Sequence, residues 1–225
     1  MKYRELKRLG GQKVSEIALG CEGFIGKSQE EFNEMLDHAL ALGINFIDLY
    51  TSNPEFRDHL GAAIAGKRER IILQGHICSV WENGQYLRSR DVKKARAAFE
   101  DQLKRLATDY IDIGMIHYVD SEKDLDEVLG GDIIEYCKEL KASGRIRAIG
   151  LSSHNPQVAI KAVESGLIDV LMFSVNAAYD MLNAHYKLLG HHASECIGCK
   201  SCERNCPFGV EVVQKMQQAA EVFGH

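Results

Sequence analysis

The sequence predicts an α/β protein in which parallel β-strands alternate with α-helices. Short apolar runs rich in β-branched residues alternate with longer segments whose apolar residues recur every three to four positions, which is the spacing of one helix face. A glycine directly follows several of the helical segments, at Gly43, Gly144 and Gly166, where a left-handed cap is favoured. Strands that alternate with helices pair in parallel through right-handed crossovers, so the pattern leaves a doubly wound sheet or a (β/α) barrel.

Six segments have the composition of strands: residues 16–19, 45–49, 71–74, 111–116, 146–151 and 169–174. Closure of a (β/α) barrel takes eight strands. A barrel built from these segments would therefore be incomplete, and its outermost strands would be open edges. Open strand edges favour pairing with another chain, so we expect a homo-oligomer that covers them.

Helical periodicity follows most of these strands. The predicted helices span residues 30–42, 92–106, 125–143, 158–165 and 210–223. In the first helix, Phe32, Leu36 and Leu40 fall on one face. In the second helix, Phe99 and Leu103 do the same. We expect these apolar faces to cover the sheet.

Polar and titratable residues follow the predicted strands at the point where each strand ends. They are Asp48, Tyr50, Gln74, His76, His117, Ser152, Ser153, His154 and Asn176. In a (β/α) barrel the carboxyl ends of the strands surround the active site, so we expect these side chains to share one edge of the sheet. A single residue of this kind is more commonly a helix cap or a loop hydrogen bond, but its recurrence on several strands favours a site.

Five segments carry a resemblance to a known family: KVSEIALG at 13–20, LGINFIDLY at 42–50, LATDYIDIGMIH at 106–117, GRIRAIGLSS at 144–153 and MFSVN at 172–176. In this order they resemble the aldo-keto reductases, specifically the branch that carries a C-terminal 4Fe-4S ferredoxin-like segment. The resemblance implies a TIM-type barrel over residues 1–184 that reduces carbonyls with NADPH. It also implies a cluster segment and a C-terminal helix over residues 185–225.

The resemblance implies a catalytic tetrad of Asp, Tyr, Lys and His, of which Asp48 and His117 match by position. In the family the Lys lowers the pKa of the Tyr, so that a phenol can act as an acid near neutral pH. The position of the Tyr is Asn53 here, and the third predicted strand contains no Lys. The nearest candidates are Tyr50 and His76, whose imidazole could supply the cation or a proton. The alternative is that this chain has lost the Tyr and the Lys of the tetrad, and has lost ordinary carbonyl reduction with them.

For the cofactor NADP(H), the resemblance implies nicotinamide contacts at Ser152, Ser153 and Asn176. The last two strand–helix units of the family, which hold the cofactor phosphates, have no counterpart after residue 183. We therefore expect weak NADP(H) binding. The missing quarter of the barrel is supplied by a partner subunit, compensated by a rearranged sheet, or deleted, and the sequence leaves these three explanations open.

The most specific motif is CIGCKSCERNCP, a C-x2-C-x2-C-x3-C-P run formed by Cys196, Cys199, Cys202 and Cys206, with Pro207 after the last cysteine. This spacing is typical of bacterial ferredoxins, and thiolates are soft ligands that suit iron–sulfur clusters. We therefore predict a 4Fe-4S cluster with these cysteines as metal ligands. The helix that follows is expected to pack its apolar face on the barrel or on a partner.

Two alternatives remain open at this motif. The adjacent His191 and His192 leave zinc as a second candidate metal, although zinc sites more commonly combine separated C-x2-C units. In ferredoxins with two clusters, the Cys before the Pro binds the other cluster. The fourth ligand here is therefore Cys206 or a remote cysteine, Cys21 or Cys78, for which buried apolar packing is the commoner role.

Composition and charge exclude several classes of protein. The chain has 225 residues, of which 45% are apolar and 26% charged, and its net charge of −5 argues against general nucleic-acid binding. It contains no apolar run long enough to span a membrane, and the amino terminus lacks the apolar core of a signal peptide. Seven cysteines, four of them clustered, indicate a metal site in a reducing cytoplasm and not a disulfide framework.

These features predict an iron–sulfur oxidoreductase that couples the cluster to redox chemistry of a small-molecule substrate at the barrel mouth. The alternative is a non-catalytic electron-transfer or redox-sensing protein that serves a redox partner protein and keeps the barrel as a scaffold. A zinc-stabilised structural protein is the third hypothesis. Residues 81–90 form a polar and aromatic stretch, which we expect to be a surface loop or a substrate lid.

Overall fold

The structure is a computed structural model and describes residues 1–174, 191–204 and 211–223. The chain forms two compact units, Met1–Phe173 and Ser174–His225. The domain boundary predicted between residues 184 and 185 lies outside the described residues.

The described part of the N-terminal unit contains ten strands. They are β1 (Tyr3–Leu6), β2 (Gln12–Ser15), β3 (Leu19–Gly20), β4 (Phe46–Leu49), β5 (Ile72–Ile77), β6 (Ser79–Glu82), β7 (Gln85–Arg88), β8 (Ile111–Ile116), β9 (Ile146–Ser153) and β10 (Val170–Phe173). Six of them form one parallel sheet in the order β10-β9-β8-β5-β4-β3. The remaining four form two antiparallel hairpins, β1–β2 and β6–β7.

The six-stranded sheet curls into half of a barrel. Its strands lie side by side in the order of the chain, whereas a doubly wound sheet reverses its order at a switch point. The choice left open by the sequence is therefore decided in favour of a barrel. The prediction of a parallel α/β fold with about six barrel strands is confirmed, and β3 and β10 are the edges of the described sheet.

The helices between the strands cover the sheet with the predicted apolar faces. The described N-terminal unit contains α1 (Gln29–Ala41), α2 (Pro54–Ile64), α3 (Val92–Arg105), α4 (Glu122–Gly130), α5 (Asp132–Ala142) and α6 (Pro156–Glu164). Phe32 and Leu36 of α1 are buried, as are Phe99 and Leu103 of α3. The helix α1 begins at a capping box, in which Ser28 and Glu31 bond each other's backbone amides; such reciprocal bonds satisfy two free N–H groups of the first turn.

The predicted left-handed glycine caps are confirmed. Gly43, Gly144 and Gly166 have φ angles of 84°, 74° and 69°, a region that a residue without a Cβ atom enters at little cost. They end the helices that precede β4, β9 and β10.

The hairpin β1–β2 packs at the amino ends of the barrel strands. Leu9 and Val14 of this hairpin region are buried together with Ile72, Ile113 and Met115. This small apolar cluster joins the hairpin to the barrel strands.

Two helix predictions were wrong. The helix α2 was not predicted, although it starts with two standard signals: Asn53 accepts a hydrogen bond from the amide of Phe56 at 3.0 Å, and Pro54 occupies the first helical position. The single helix predicted over residues 125–143 is two helices, α4 and α5. They separate at Gly131, which lies between them as the C-cap of α4 and the N-cap of α5 and has extended backbone angles.

The described residues of the C-terminal unit contain two α-helices, α7 (Ser201–Arg204) and α8 (Val212–Phe223). The helix predicted over residues 210–223 is thus confirmed in its described part. The amide of Val213 donates to Glu203 Oε1 at 2.9 Å, which ties the start of α8 to α7. Among the described residues, no helix combines the length and the apolar composition needed to cross a membrane.

Candidate active site

Three of the predicted site residues meet at the carboxyl ends of neighbouring strands. Asp48 lies on β4, His76 on β5 and His117 directly after β8, and β5 pairs with both neighbours. The Nε2 atom of His76 lies 3.1 Å from Asp48 Oδ1, and its Nδ1 atom lies 2.6 Å from His117 Nδ1. His76 therefore bridges the carboxylate and the second imidazole.

A tyrosine from the β6–β7 hairpin extends this chain of contacts. The hydroxyl of Tyr86 lies 2.5 Å from His117 Nε2. The hairpin turns at Asn83 and Gly84, whose φ angles of 52° and 76° are those of a type I′ turn. The result is one continuous series of polar contacts from Asp48 through two imidazoles to a phenol.

The hairpin that carries Tyr86 is held on both sides of the site. On the β4 side, the Ser79 hydroxyl donates to the Tyr50 carbonyl, and the Ser52 hydroxyl donates to the Val80 carbonyl, both at 2.7 Å. Side-chain hydroxyls that bond the backbone of a neighbouring segment fix the separation of the two segments. The base of the hairpin is therefore attached to the segment that directly follows the strand carrying Asp48.

On the β8 side, an arginine after the hairpin is the link. Arg90 donates to both carboxylate oxygens of Asp124 at 2.8 and 2.7 Å, and its Nη1 atom donates to the His117 carbonyl at 2.9 Å. A paired arginine–carboxylate contact is strong and directional. Arg90 thus holds the backbone of His117 and the end of the hairpin in one place.

The electrostatics of the site keep His117 neutral. Burial, together with the neighbouring His76 and Arg90, lowers its pKa to about 3, against the opposing effect of the Asp48 carboxylate. A neutral imidazole has one N–H donor and one acceptor nitrogen. Since His117 contacts His76 through one nitrogen and Tyr86 through the other, it donates to one of them and accepts from the other.

Asp48 accepts a second hydrogen bond besides that of His76. The side-chain amide of Gln74 donates to Asp48 Oδ1 at 2.7 Å. Gln74 is buried, so it orients the carboxylate from inside the half-barrel. It was recognised in the sequence only as a polar residue at a strand end.

Tyr50 lies beside the site with its hydroxyl directed elsewhere. Its ring is nearly parallel to that of His117, at 15°, with the centroids 6.3 Å apart. Its hydroxyl lies 3.3 Å from Glu22 Oε1, and burial together with the Glu22 carboxylate raises its pKa. Tyr50 therefore contributes a ring face to the site, while its hydroxyl bonds a carboxylate.

Comparison with known proteins identifies the family. Residues 16–197, most of the chain, match the Aldo/keto reductase family. This chain belongs to the aldo-keto reductase family. The match stops inside the cysteine motif that begins at Cys196, so it tests the barrel and leaves the cluster prediction untested.

Individual relatives agree with this assignment. YqkF of Bacillus subtilis, an uncharacterized oxidoreductase, is 34% identical over 164 residues, which are 71% of this chain and 52% of YqkF. The holo form of the aldo-keto reductase AKR11C1 of Bacillus halodurans is 26% identical, with a TM-score of 0.68 over 84% of this chain and 63% of that one. An aldo-keto reductase of Klebsiella pneumoniae in complex with NADPH shares the fold at 21% identity, with a TM-score of 0.56 over 73% of this chain and 54% of that one. The chain spans about half the length of the curated relatives that it matches.

Two of the three predicted nicotinamide contacts, Ser152 and Ser153, are engaged in local bonds. The hydroxyl of Ser152 accepts from the Tyr118 amide at 2.8 Å, and that of Ser153 accepts from the Asn155 amide at 3.1 Å and donates to Asp120 at 3.2 Å. Both serines are buried. Each hydroxyl oxygen keeps a lone pair, so the pair fits a nicotinamide amide only in part.

The third predicted nicotinamide contact, Asn176, lies outside the described residues. So does Cys206, the fourth cysteine of the motif.

The remote cysteines of this aldo-keto reductase are buried in the N-terminal unit. Burial raises the pKa of Cys21 to about 12 and also raises the pKa of Cys78. Cys137 is buried on α5, and burial raises its pKa as well. Thiols of this kind are neutral and inert, which agrees with the expected role in apolar packing.

Three cysteines of the motif line one cavity in the C-terminal unit. Cys196, Cys199 and Cys202 are exposed, and they line a cavity of about 310 Å³ together with Val213 and Met216 of α8. The apolar face of α8 therefore packs towards the cysteine loop. Within residues 1–174, 191–204 and 211–223, no group of three or more His, Cys, Asp or Glu side chains is arranged to hold a metal ion.

The histidines next to the motif bond a carboxylate. His191 Nδ1 lies 2.8 Å from Glu195 Oε2, and the amide of His192 donates to Glu195 Oε1 at 3.1 Å. These contacts cap the short helical turn Ala193–Glu195. The two residues thus have a local structural role besides the metal-binding role considered from the sequence.

Tyr86 is the site residue that sequence reasoning missed. It lies in residues 81–90, which were expected to be a loop or a lid and are largely the hairpin β6–β7. The signal was present, since Asn-Gly at residues 83–84 between residues of high strand propensity is a strong hairpin pattern. The side of the barrel mouth that Tyr86 reaches depends on packing and could not be predicted from the sequence.

Proposed function

We propose that this aldo-keto reductase is an iron–sulfur oxidoreductase that reduces a carbonyl group of a small-molecule substrate at the carboxyl ends of its strands. The observation that carries the proposal is the unbroken contact series from Asp48 through His76 to His117. Carbonyl reduction needs a proton at the substrate oxygen. An imidazole backed by a carboxylate is an arrangement that can pass a proton on to a reacting group.

In this proposal His76 replaces the Lys that the family resemblance leads one to expect. His76 is buried, and its Nε2 atom faces the Asp48 carboxylate. A His76 that carries protons on both nitrogens pairs with Asp48 and still has its Nδ1–H for His117. A cation beside an acid favours loss of the acid's proton, which is the effect required here.

The residues proposed to contact the nicotinamide are Ser152, Ser153 and Asn176. When bound, NADPH supplies a hydride to the carbonyl carbon. The two serine hydroxyls are partly committed to local bonds, so the chain should hold the cofactor weakly. A relative that shares the fold was solved with NADPH, which supports this choice of cofactor.

We also propose that the C-terminal unit holds a 4Fe-4S cluster. Support comes from the ferredoxin spacing of the cysteines and from the single cavity that Cys196, Cys199 and Cys202 line. When bound, the cluster would supply one-electron transfer. Cys206 is the proposed fourth ligand, because Cys21 and Cys78 are buried in the other unit.

The cluster is tested by anaerobic purification with iron and sulfide analysis and an optical spectrum. We expect about four irons and four sulfides per chain. The variant Cys199→Ser should lose most of the iron, whereas the neighbouring Ser201→Ala should keep it. Zinc in place of iron and sulfide would overturn the cluster part of the proposal.

The enzymatic part has its own test. Anaerobic protein is titrated with NADPH and then supplied with a panel of aldehydes and ketones, while NADPH oxidation is recorded. Weak but saturable binding and carbonyl-dependent oxidation are expected. Failure to bind NADPH, together with failure to oxidise it with any carbonyl, would contradict the activity regardless of the cluster result.

The edge of the sheet formed by the described strands leads to a further proposal about assembly. Beside the edge strand β10, an apolar groove is lined by Ala159, Ile160, Val163, Leu171 and Phe173, and Ile160 and Val163 are 56% and 53% exposed. We propose that a second copy of the chain covers this edge, as unpaired strand edges favour. A mass measurement in solution tests the idea, and a strict monomer would rule it out.

A further inference from the structure

We propose that Tyr86 is the proton donor of this site, and that His117, His76 and Asp48 resupply its proton in that order. The inference rests on the carbonyl reduction proposed above. It adds a catalytic residue on the β6–β7 hairpin, far in sequence from Asn53, which occupies the donor position implied by the family resemblance and serves as the cap of α2.

The contacts distinguish Tyr86 from the other nearby phenol. The Tyr86 hydroxyl lies 2.5 Å from His117 Nε2, while the Tyr50 hydroxyl lies beside Glu22. A phenol bonded to a carboxylate is held protonated. A phenol bonded to an imidazole can exchange its proton with a neutral partner. Tyr86 is also 37% exposed, so a substrate oxygen can reach it.

The hydrogen bonds can run in two directions. With a neutral His76, the Tyr86 hydroxyl donates to His117, His117 Nδ1–H donates to His76, and His76 Nε2–H donates to Asp48. With a doubly protonated His76, its Nδ1–H donates to His117 and His117 Nε2–H donates to Tyr86. Each nitrogen has one role in either arrangement, so both satisfy every group of the series.

The second arrangement is the one prepared for reduction. Because Tyr86 accepts from His117 in this arrangement, its own O–H is free to point at a substrate carbonyl. The phenolate left by proton transfer would keep the His117 hydrogen bond, which stabilises the charged form. The Asp48–His76 ion pair therefore acts on the phenol through a neutral imidazole.

The proton and electron balance closes. The carbonyl carbon takes a hydride from the reduced nicotinamide, which is oxidised, and the carbonyl oxygen takes the Tyr86 proton to give the alcohol. The phenolate then takes the Nε2 proton of His117, and His117 takes the Nδ1 proton of His76. His76 is left neutral, in the first arrangement, and one proton from solvent restores the second.

The surroundings fix Tyr86 in this position. The charged and titratable groups that face it are Arg88 and Arg90 from its own strand end, Tyr118 after β8, Tyr50 after β4, and His117. Burial raises the pKa of Tyr86, and the two arginines oppose the rise, so the phenol is protonated before the reaction as an acid must be. Hydrogen bonds from Ser79 to the Tyr50 carbonyl and from Arg90 to the His117 carbonyl tie the hairpin to the neighbouring segments.

Kinetics of Tyr86→Phe test the catalytic role. We expect carbonyl reduction to fall by about 100-fold or more, the usual contribution of a positioned general acid, with NADPH binding unchanged. Tyr110→Phe, at the opposite end of the sheet, is the matched control and should keep its activity. An active Tyr86→Phe protein, or a larger loss in Tyr50→Phe, would overturn the inference.

A second readout does not need turnover. In protein with isotope-labelled tyrosine, nuclear magnetic resonance reports the ionisation of Tyr86. Both His117→Phe and Asp48→Asn should raise its pKa by about one unit or more, since each removes support for the phenolate. Glu22→Gln, which acts on Tyr50, should leave Tyr86 unchanged.

The two readouts separate the possible failures. Wild-type protein that reduces no carbonyl overturns the proposed function, whatever the titration shows. A Tyr86 ionisation that moves in neither His117→Phe nor Asp48→Asn overturns the proton series, even if the wild type is active.

Discussion

The two ends of the barrel sheet each hold a carboxylate, and the partners of the two carboxylates differ. At the amino ends, Asp112 accepts from Arg68 and Arg147, both at 2.8 Å, and from the Leu73 amide at 2.9 Å. The ring of Tyr110 contacts both guanidinium groups, which lie 4.1 and 4.4 Å from its centroid. Arginine stays protonated in proteins, so this cluster is permanently charged.

At the carboxyl ends, the partners of Asp48 are an amide and an imidazole in place of guanidinium groups. Asp48 accepts from Gln74 and contacts His76, which continues to His117 and Tyr86. The amino-end cluster has the composition of a stabilising ion network, and the carboxyl-end series has that of a proton path. The comparison agrees with the general division of a (β/α) barrel into a stability face and a catalytic face.

Replacing the titratable carboxylate should have the largest effect, and it should fall on activity. In Asp48→Asn, the amide cannot pair with a protonated His76, so carbonyl reduction should fall by about 1,000-fold. Steady-state kinetics provide the measurement, with urea unfolding as the check that stability changes little. A loss below about tenfold would place Asp48 outside the proton path.

Replacing the permanently paired carboxylate should act on stability. Asp112→Asn leaves two guanidinium groups without their buried counter-charge, so the free energy of unfolding should fall by about 3 kcal/mol. Urea unfolding measures this change, and the activity per folded molecule should stay at the wild-type level. A strongly reduced activity with unchanged stability would reverse the assignment of the two ends.

The pH dependence of stability sharpens the comparison further. The pKa of His117 is about 3 in the folded protein, below the value of about 6.5 for an unfolded chain. As pH falls from about 6.5 towards 3, only the unfolded chain takes up this proton, so the free energy of unfolding should fall by up to about 1.4 kcal/mol per pH unit. Above about pH 6.5 this contribution is constant.

Comparison of the wild type with His117→Asn isolates the contribution of His117 to the pH dependence of stability. Unfolding in urea is measured at a series of pH values, and the stability difference between the two proteins is taken at each. The difference should shift in favour of the variant as the pH is lowered. A pH-independent difference would show that His117 is not held neutral.

The smallest effect on stability is expected from an exposed ion pair. Like the Asp112 cluster it joins an arginine to a carboxylate, but it is not buried. Arg96 and Glu139 form an ion pair with side chains 45% and 59% exposed. Exposed pairs contribute little, so Glu139→Gln should change the free energy of unfolding by at most about 0.5 kcal/mol. A change similar to that of Asp112→Asn would mean that burial is not the deciding factor.

Elements with a continuous buried pattern were recognised as strands, although β5, buried throughout, was predicted at residues 71–74 and lies at Ile72–Ile77. The strand β8 has the predicted bounds, residues 111–116, and every residue in it is buried. The short edge strand β3 was predicted at residues 16–19 but lies at Leu19–Gly20. The preceding residues 12–15 form β2, which pairs with β1. A strand of two residues at a sheet edge is too short to show the alternation by which strands are located in a sequence.

The candidate site was predicted in the same uneven way. Asp48, His76 and His117 were named because each ends an apolar run, and parallel strands bring such ends together. Asn53 was considered only as a departure from a family pattern, and its role as the cap of α2 was missed. Tyr86 was assigned to a surface loop or a lid because the Asn-Gly hairpin pattern at residues 83–84 was overlooked. Even with the hairpin recognised, nothing in the spacing of residues 81–90 indicates which strand end it contacts.

The sequence by itself determined the parallel fold, the shared edge of the site residues and the ferredoxin spacing of the cysteines. These follow from local rules, since periodicity assigns each residue to an element and a face. Only the tertiary structure decided that the hairpin places Tyr86 on His117, and that Asp112 meets two arginines while Asp48 meets two histidines. Contacts between elements distant in the chain depend on packing, which no local pattern encodes.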